Sequence, residues 1–138
     1  MRKTLLICCA LLLSQPSLAI DERFVDTDED IILDNETGLM WTQNVDLAEV
    51  RRVEVQEFAD LFTLSGYIDW RVPTETEVEG LFRGLREWGS GGLFINFSGH
   101  WRTYLGQDGS GINIFWDHAN RWGVQRVEEL PERVHVWL

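Results

Sequence analysis

Thr74-Glu75-Thr76-Glu77-Val78-Glu79-Gly80-Leu81-Phe82-Arg83-Gly84-Leu85-Arg86-Glu87 is the most regular stretch of this 138-residue sequence, and it organises the rest. Val78, Leu81, Phe82 and Leu85 recur at i, i+3, i+4 and i+7, which predicts an amphipathic helix from Glu75 to about Glu87. Thr74 stands at the N-cap with Glu77 three residues on, so hydroxyl and carboxylate can satisfy each other's backbone N–H. Glu75, Glu77 and Glu79 near the start and Arg83 and Arg86 near the end match the helix dipole. Gly80 and Gly84 each cost about 1 kcal/mol against alanine, which points to a close backbone approach.

Upstream, a first helix is expected over Leu47–Thr63. Asp46 and Glu49 form a capping-box-like pair, Val55, Phe58, Ala59 and Phe62 form the apolar stripe, and Gly66 is the stop. Before it lie short strands: Phe24-Val25 and Ile31-Ile32-Leu33 around the acidic turn Asp26–Asp30, then Leu39-Met40-Trp41 after the turn Asn35-Glu36-Thr37-Gly38. Downstream of the link Gly89-Ser90-Gly91-Gly92 the chain reads as β at His100–Leu105, Ile112–Trp116, Gly123–Val127 and Val134–Leu138, with Asp108-Gly109 as a hairpin turn. Strands, two helices, then strands predict an α+β fold.

The N-terminus reads as an export signal. Arg2 and Lys3 precede an apolar run of about ten residues, half what a membrane span needs, and Ser17-Leu18-Ala19 places small residues before a cleavage site. Residues 1–19 are therefore expected to be removed, leaving residues 20–138 as one domain in the periplasm or outside the cell. Cys8 and Cys9 leave with the leader, so the mature chain has no disulfide and depends on packing, to which seven tryptophans contribute. Loss of Arg2 and Lys3 takes the formal charge from −11 to −13, ten arginines against 23 acidic residues. Such a charge repels nucleic acid, anionic lipid and sulfated polysaccharide and favours cationic or neutral partners.

Two motifs carry a family resemblance. Asp34-Asn35-Glu36-Thr37-Gly38-Leu39-Met40-Trp41 and Gly66-Tyr67-Ile68-Asp69-Trp70-Arg71-Val72-Pro73-Thr74-Glu75 resemble the opening and centre of the Lcl C-terminal domain family. His100-Trp101-Arg102-Thr103 and Arg133-Val134-His135-Val136-Trp137 are looser matches to its later strands. The resemblance implies a C-type-lectin-like fold: two helices, a curved, mostly antiparallel sheet, and termini side by side. It also implies export, and in some members adhesion through host polysaccharide. This chain departs from the family in lacking its cysteine pair, and the charge of −13 opposes a sulfated ligand.

No motif calls for catalysis, a cofactor or a metal. Asp26–Asp30 begins like a calcium loop, but Ile31 and Thr37 stand where an EF-hand needs glycine and glutamate. Trp116-Asp117-His118 lacks the partner motif of a calcium-dependent lectin. His100, His118 and His135 have no metal-ligand spacing, and no serine sits in a nucleophile elbow. Trp41, Asp69, Trp70 and Arg71 read as structural: the indoles as core, and Arg71 as paired with a carboxylate where the chain enters the second helix.

The candidate ligand-binding residues are His100, Arg102, Tyr104, Trp116, Asp117, His118, Asn120 and Trp122, which mix aromatic faces with hydrogen-bonding groups in the C-terminal loops. The function expected is non-enzymatic recognition or assembly, with a glycan or protein partner in the envelope or outside the cell. The alternatives are a hydrolase using two facing carboxylates of raised pKa, or a structural subunit with an exposed apolar patch.

Overall fold

A computed structural model describes residues 22–88, 91–96, 102–116 and 122–138. The expected leader, Gly89 and Ser90 of the glycine link, and His100, Asp117, His118 and Asn120 lie outside the described residues. The architecture is α+β, with two α-helices and two mostly antiparallel sheets. Strands β1 (Phe24–Asp26), β2 (Ile31–Asp34) and β3 (Leu39–Thr42) form an antiparallel meander. The second sheet runs β4-β8-β5-β6-β7, from β4 (Ala48–Arg51), β5 (Arg102–Leu105), β6 (Gly111–Trp116), β7 (Trp122–Val127) and β8 (Arg133–Val136). Only the β5–β8 pair is parallel. Helix α1 spans Val55–Leu61 and α2 spans Glu75–Trp88. Among the described residues no helix is long and apolar enough to cross a membrane.

Helix α2 follows its sequence pattern. The Thr74 N–H donates to Glu77 (2.8 Å), the Glu77 N–H donates to the Thr74 hydroxyl (3.2 Å), and Val78, Leu81, Phe82 and Leu85 are buried. The hairpin at Asp108-Gly109 also forms, with Gly109 at φ 80°.

The first helix is shorter than expected and begins later. Residues 48–51 are strand β4, Arg52–Glu54 is a 3-10 turn, and only Val55–Leu61 is α-helical. The Asp46–Glu49 cap does not form. Asp46 is engaged by His135 and Arg102 instead, and β4 pairs antiparallel with β8, Ala48 opposite Val136. The working cap lies five residues on, where the Glu54 carboxylate accepts from the Arg51 N–H. Helix α1 ends at Leu61, ahead of Gly66, because Phe62 is already extended.

Two core clusters result. Trp137 centres one, in ring contact with Trp41 (5.1 Å), Phe94 (5.4 Å) and Phe82 (6.2 Å), and its indole N–H donates to the Thr42 carbonyl (3.0 Å). The other joins Ile31, Val55, Ala59, Trp70, Val72, Val134, Val136 and Leu138. Ile31 and Ile32 serve opposite clusters because successive strand residues face opposite ways.

A buried ion pair binds the meander to α2. The Arg23 Nε and Nη2 donate to the two oxygens of Asp34 (3.0 and 2.9 Å), and Nη2 also donates to the Gly80 carbonyl (3.2 Å). Nη1 meets Glu36 at 2.5 Å. The two helix glycines therefore differ. A Cβ at Gly84 would lie 2.5 Å from the Arg23 guanidinium, whereas a Cβ at Gly80 would meet nothing within 4 Å.

Candidate functional site

Segments far apart in the sequence converge on a cleft of about 250 Å³. One wall is β3 with the turn before it: Gly38, Leu39, Met40 and Trp41. The other is the segment between the helices, Tyr67, Asp69, Trp70, Arg71 and Pro73, closed by Glu77 of α2 and by Leu138. Gly38 reaches its place at φ 71°, its N–H donating to the Asp34 carbonyl (2.7 Å). Ser65 and Gly66 both adopt positive φ, and Leu64 and Tyr67 exchange backbone hydrogen bonds. The Ser65 hydroxyl donates to the Glu29 carbonyl (3.1 Å), tying this turn to the β1–β2 tip.

Aromatic rings dominate the cleft. Trp70 is buried edge-on to Phe62 (5.9 Å) and Tyr67 (6.5 Å), and the Tyr67 ring is half exposed. The indole N–H groups of Trp41 and Trp70 are both buried, with no acceptor among the described residues. A buried donor left unpaired costs about 1–3 kcal/mol, so two beside one cleft are an unusual concentration.

The charges of the cleft are not equivalent. Arg71 donates two hydrogen bonds to Glu77 (2.9 and 2.5 Å) and one to the Val72 carbonyl (3.2 Å), so both of its Nη groups are engaged. The same bonds, with help from Thr74, hold the Glu77 carboxyl down at about 2. Asp69 is exposed, and its carboxylate makes no ion pair or hydrogen bond among the described residues. The sequence reading of Arg71 as a carboxylate-paired arginine matches its geometry, but the partner is only partly buried: the two side chains are 42% and 23% exposed.

Of the C-terminal candidates, Arg102 and Tyr104 come together with Asp46 and His135, which the sequence did not place in a site. Asp46 binds His135 Nδ1 through one oxygen (2.8 Å) and Arg102 through the other (3.0 Å). Arg102 also donates to the Asn96 carbonyl (2.7 Å). Tyr104 lies in the core with its ring 5.9 Å from that of His135, and burial pushes its phenol up to about 12. Trp116 and Trp122 face each other in register across β6 and β7. The Asp46–His135 contact could orient an imidazole as a base. Among the described residues His135 makes no hydrogen bond with a hydroxyl.

The carboxyls of Asp34, Glu54, Glu77 and Asp108 are all held below their ordinary values by the hydrogen bonds they accept. Among the described residues no group of three metal-ligating side chains occurs. The cleft itself escaped the sequence, although its two motifs, at 34–41 and 66–75, were visible as its densest patterns. No family model, curated protein or solved structure matches the chain.

Proposed function

We propose that this protein is an exported, non-enzymatic recognition domain with a C-type-lectin-like fold. Its ligand seats in the cleft between Trp41 and Trp70, in place of the C-terminal loops. The observation that carries the reading is the composition of that cleft: the exposed Tyr67 ring beside the indoles of Trp41 and Trp70, whose buried N–H groups find no acceptor among the described residues, and the Asp69 carboxylate, which has no partner there. Ligand sites combine apolar walls with a few convergent polar groups in this way. A volume of about 250 Å³ suits one monosaccharide-sized or side-chain-sized group. The lectin-like assignment is supported by the two helices and by the Thr42 N–H donating to the Leu138 carbonyl (2.8 Å), which brings early and late segments side by side.

The test is a binding screen of the purified protein against glycans and cell-envelope components, run with two double variants. Tyr67→Ala with Asp69→Ala alters only exposed groups of the cleft. Asn120→Ala with Trp122→Ala alters two of the C-terminal candidates that the sequence assigns to a loop site. The cleft pair should abolish binding and the loop pair should leave it. The reverse pattern would return the site to the loops, and a screen with no hit would remove the recognition reading.

A further inference from the structure

We infer that the cleft selects an organic cation, a substituted ammonium or guanidinium group, carried by a small molecule or by a basic side chain of a partner polypeptide. This rests on the reading above that the cleft is the ligand seat. Among the described residues Arg71 is the only basic side chain lining it, and Glu77 neutralises it through two hydrogen bonds. The cleft therefore offers an anion no net positive side-chain charge. Among the described side chains that line it, Asp69 carries the one charge without a partner.

Asp69 lines the same cleft as Trp41, Tyr67 and Trp70; the two indoles are largely buried, and the Tyr67 ring is exposed enough to be touched. Aromatic faces attract cations through their quadrupole, tryptophan most strongly, and a carboxylate at the rim adds to that attraction. An anion would meet the negative faces of the same rings and the Asp69 charge together. The whole chain favours the same sign, because a formal charge of −11 concentrates cations near the surface and repels anions. A small cavity limits what enters to the charged head and the carbon atoms next to it.

The experiment is calorimetric titration of the purified protein with choline chloride, L-arginine amide, an arginine-containing tetrapeptide, methyl glucoside and sodium acetate. The indole N–H resonances of Trp41 and Trp70, assigned with the Trp41→Phe and Trp70→Phe variants, report occupancy. Choline or arginine amide should bind and shift both indoles, and acetate should not. Asp69→Asn should weaken cation binding about tenfold or more. Arg71→Gln frees the Glu77 carboxylate and should strengthen it, an effect that a purely structural role for Arg71 would not produce.

A tetrapeptide binding tenfold tighter than arginine amide would make the carrier a polypeptide, and equal affinity a free cation; both outcomes support the inference. Methyl glucoside shifting the indoles while the cations do not would overturn the cation class and leave the cleft as a ligand seat. Equal cation affinity in Asp69→Asn and the unmodified protein would also overturn it. No shift of either indole with any probe would remove both readings.

Discussion

Replacing Arg23 with alanine probes the attachment of the N-terminal meander to α2. Arg23 and Asp34 are 7% and 1% exposed, so the variant strands a carboxylate with almost no access to water. Four contacts disappear: two hydrogen bonds to Asp34, one to the Gly80 carbonyl, and the ion pair with Glu36. Breaking a buried pair from one side costs about 3–5 kcal/mol, a large share of the 5–15 kcal/mol expected for a whole domain. The cost should depend on pH. Burial pushes the Asp34 carboxyl up, but the bonds from Arg23 and from the Glu36 N–H outweigh it and hold the group below its ordinary value of 3.8. In the unmodified protein that contribution is present above 3.8 and fades as pH falls through the lowered value. Without the arginine, burial dominates and the folded value rises, so protonation relieves the variant while acid weakens the parent. The stability gap should therefore be widest at pH 7 and narrower near pH 3. Urea unfolding at both pH values measures it, and Arg23→Lys, which keeps the charge but loses the fork, should fall between. A gap under about 1 kcal/mol at pH 7, or one that widens in acid, would refute this account of the pair.

The two helix glycines should respond oppositely: Gly80→Ala should stabilise by up to about 1 kcal/mol, because its Cβ enters open space in a helix interior. Gly84→Ala should destabilise, because Asp34 pins the guanidinium that a Cβ would strike; thermal melts of the pair decide it. Trp70→Ala should cost about 3–5 kcal/mol through the cavity it leaves. Arg71→Ala should cost under about 1 kcal/mol, because its partner keeps contact with water, and equal losses for these two in chemical denaturation would contradict the assignment. Glu77→Gln should be less stable than the parent at pH 7. That deficit should shrink below pH 4.5 and vanish near pH 2, where the parent's carboxyl is itself protonated.

Local features of the fold were legible because their causes are local. The Thr74–Glu77 box, the buried stripe of α2 and the Asp108-Gly109 turn each lie within a few residues. Strand β4 was not legible, because Ala48-Glu49-Val50-Arg51 has no strong preference and its state is set by pairing with β8 more than eighty residues away. Asp46 misled for the same reason: it looks like a helix cap in sequence but serves His135 and Arg102 in space. The Arg23–Asp34 pair joins charges eleven residues apart, which ordinarily belong on a surface. The cleft was half legible. Trp41 and Trp70 are buried and Arg71 bonds to Glu77, but a cavity depends on which neighbours fail to fill a space, and that is not written in any one segment.

Strand β8 comes last of the described strands, yet it lies second in its sheet, between β4 and β5. A polypeptide emerging N-terminus first exposes both β4 and β5 before their common neighbour arrives. The hairpins β5–β6 and β6–β7 can close as they appear, but β4 has no strand partner until residues 133–136 are free. Pairs of such high sequence separation carry a large loop-closure cost and slow the search for the native state. Until then the sheet is limited to β5, β6 and β7, and β4 joins it only through β8.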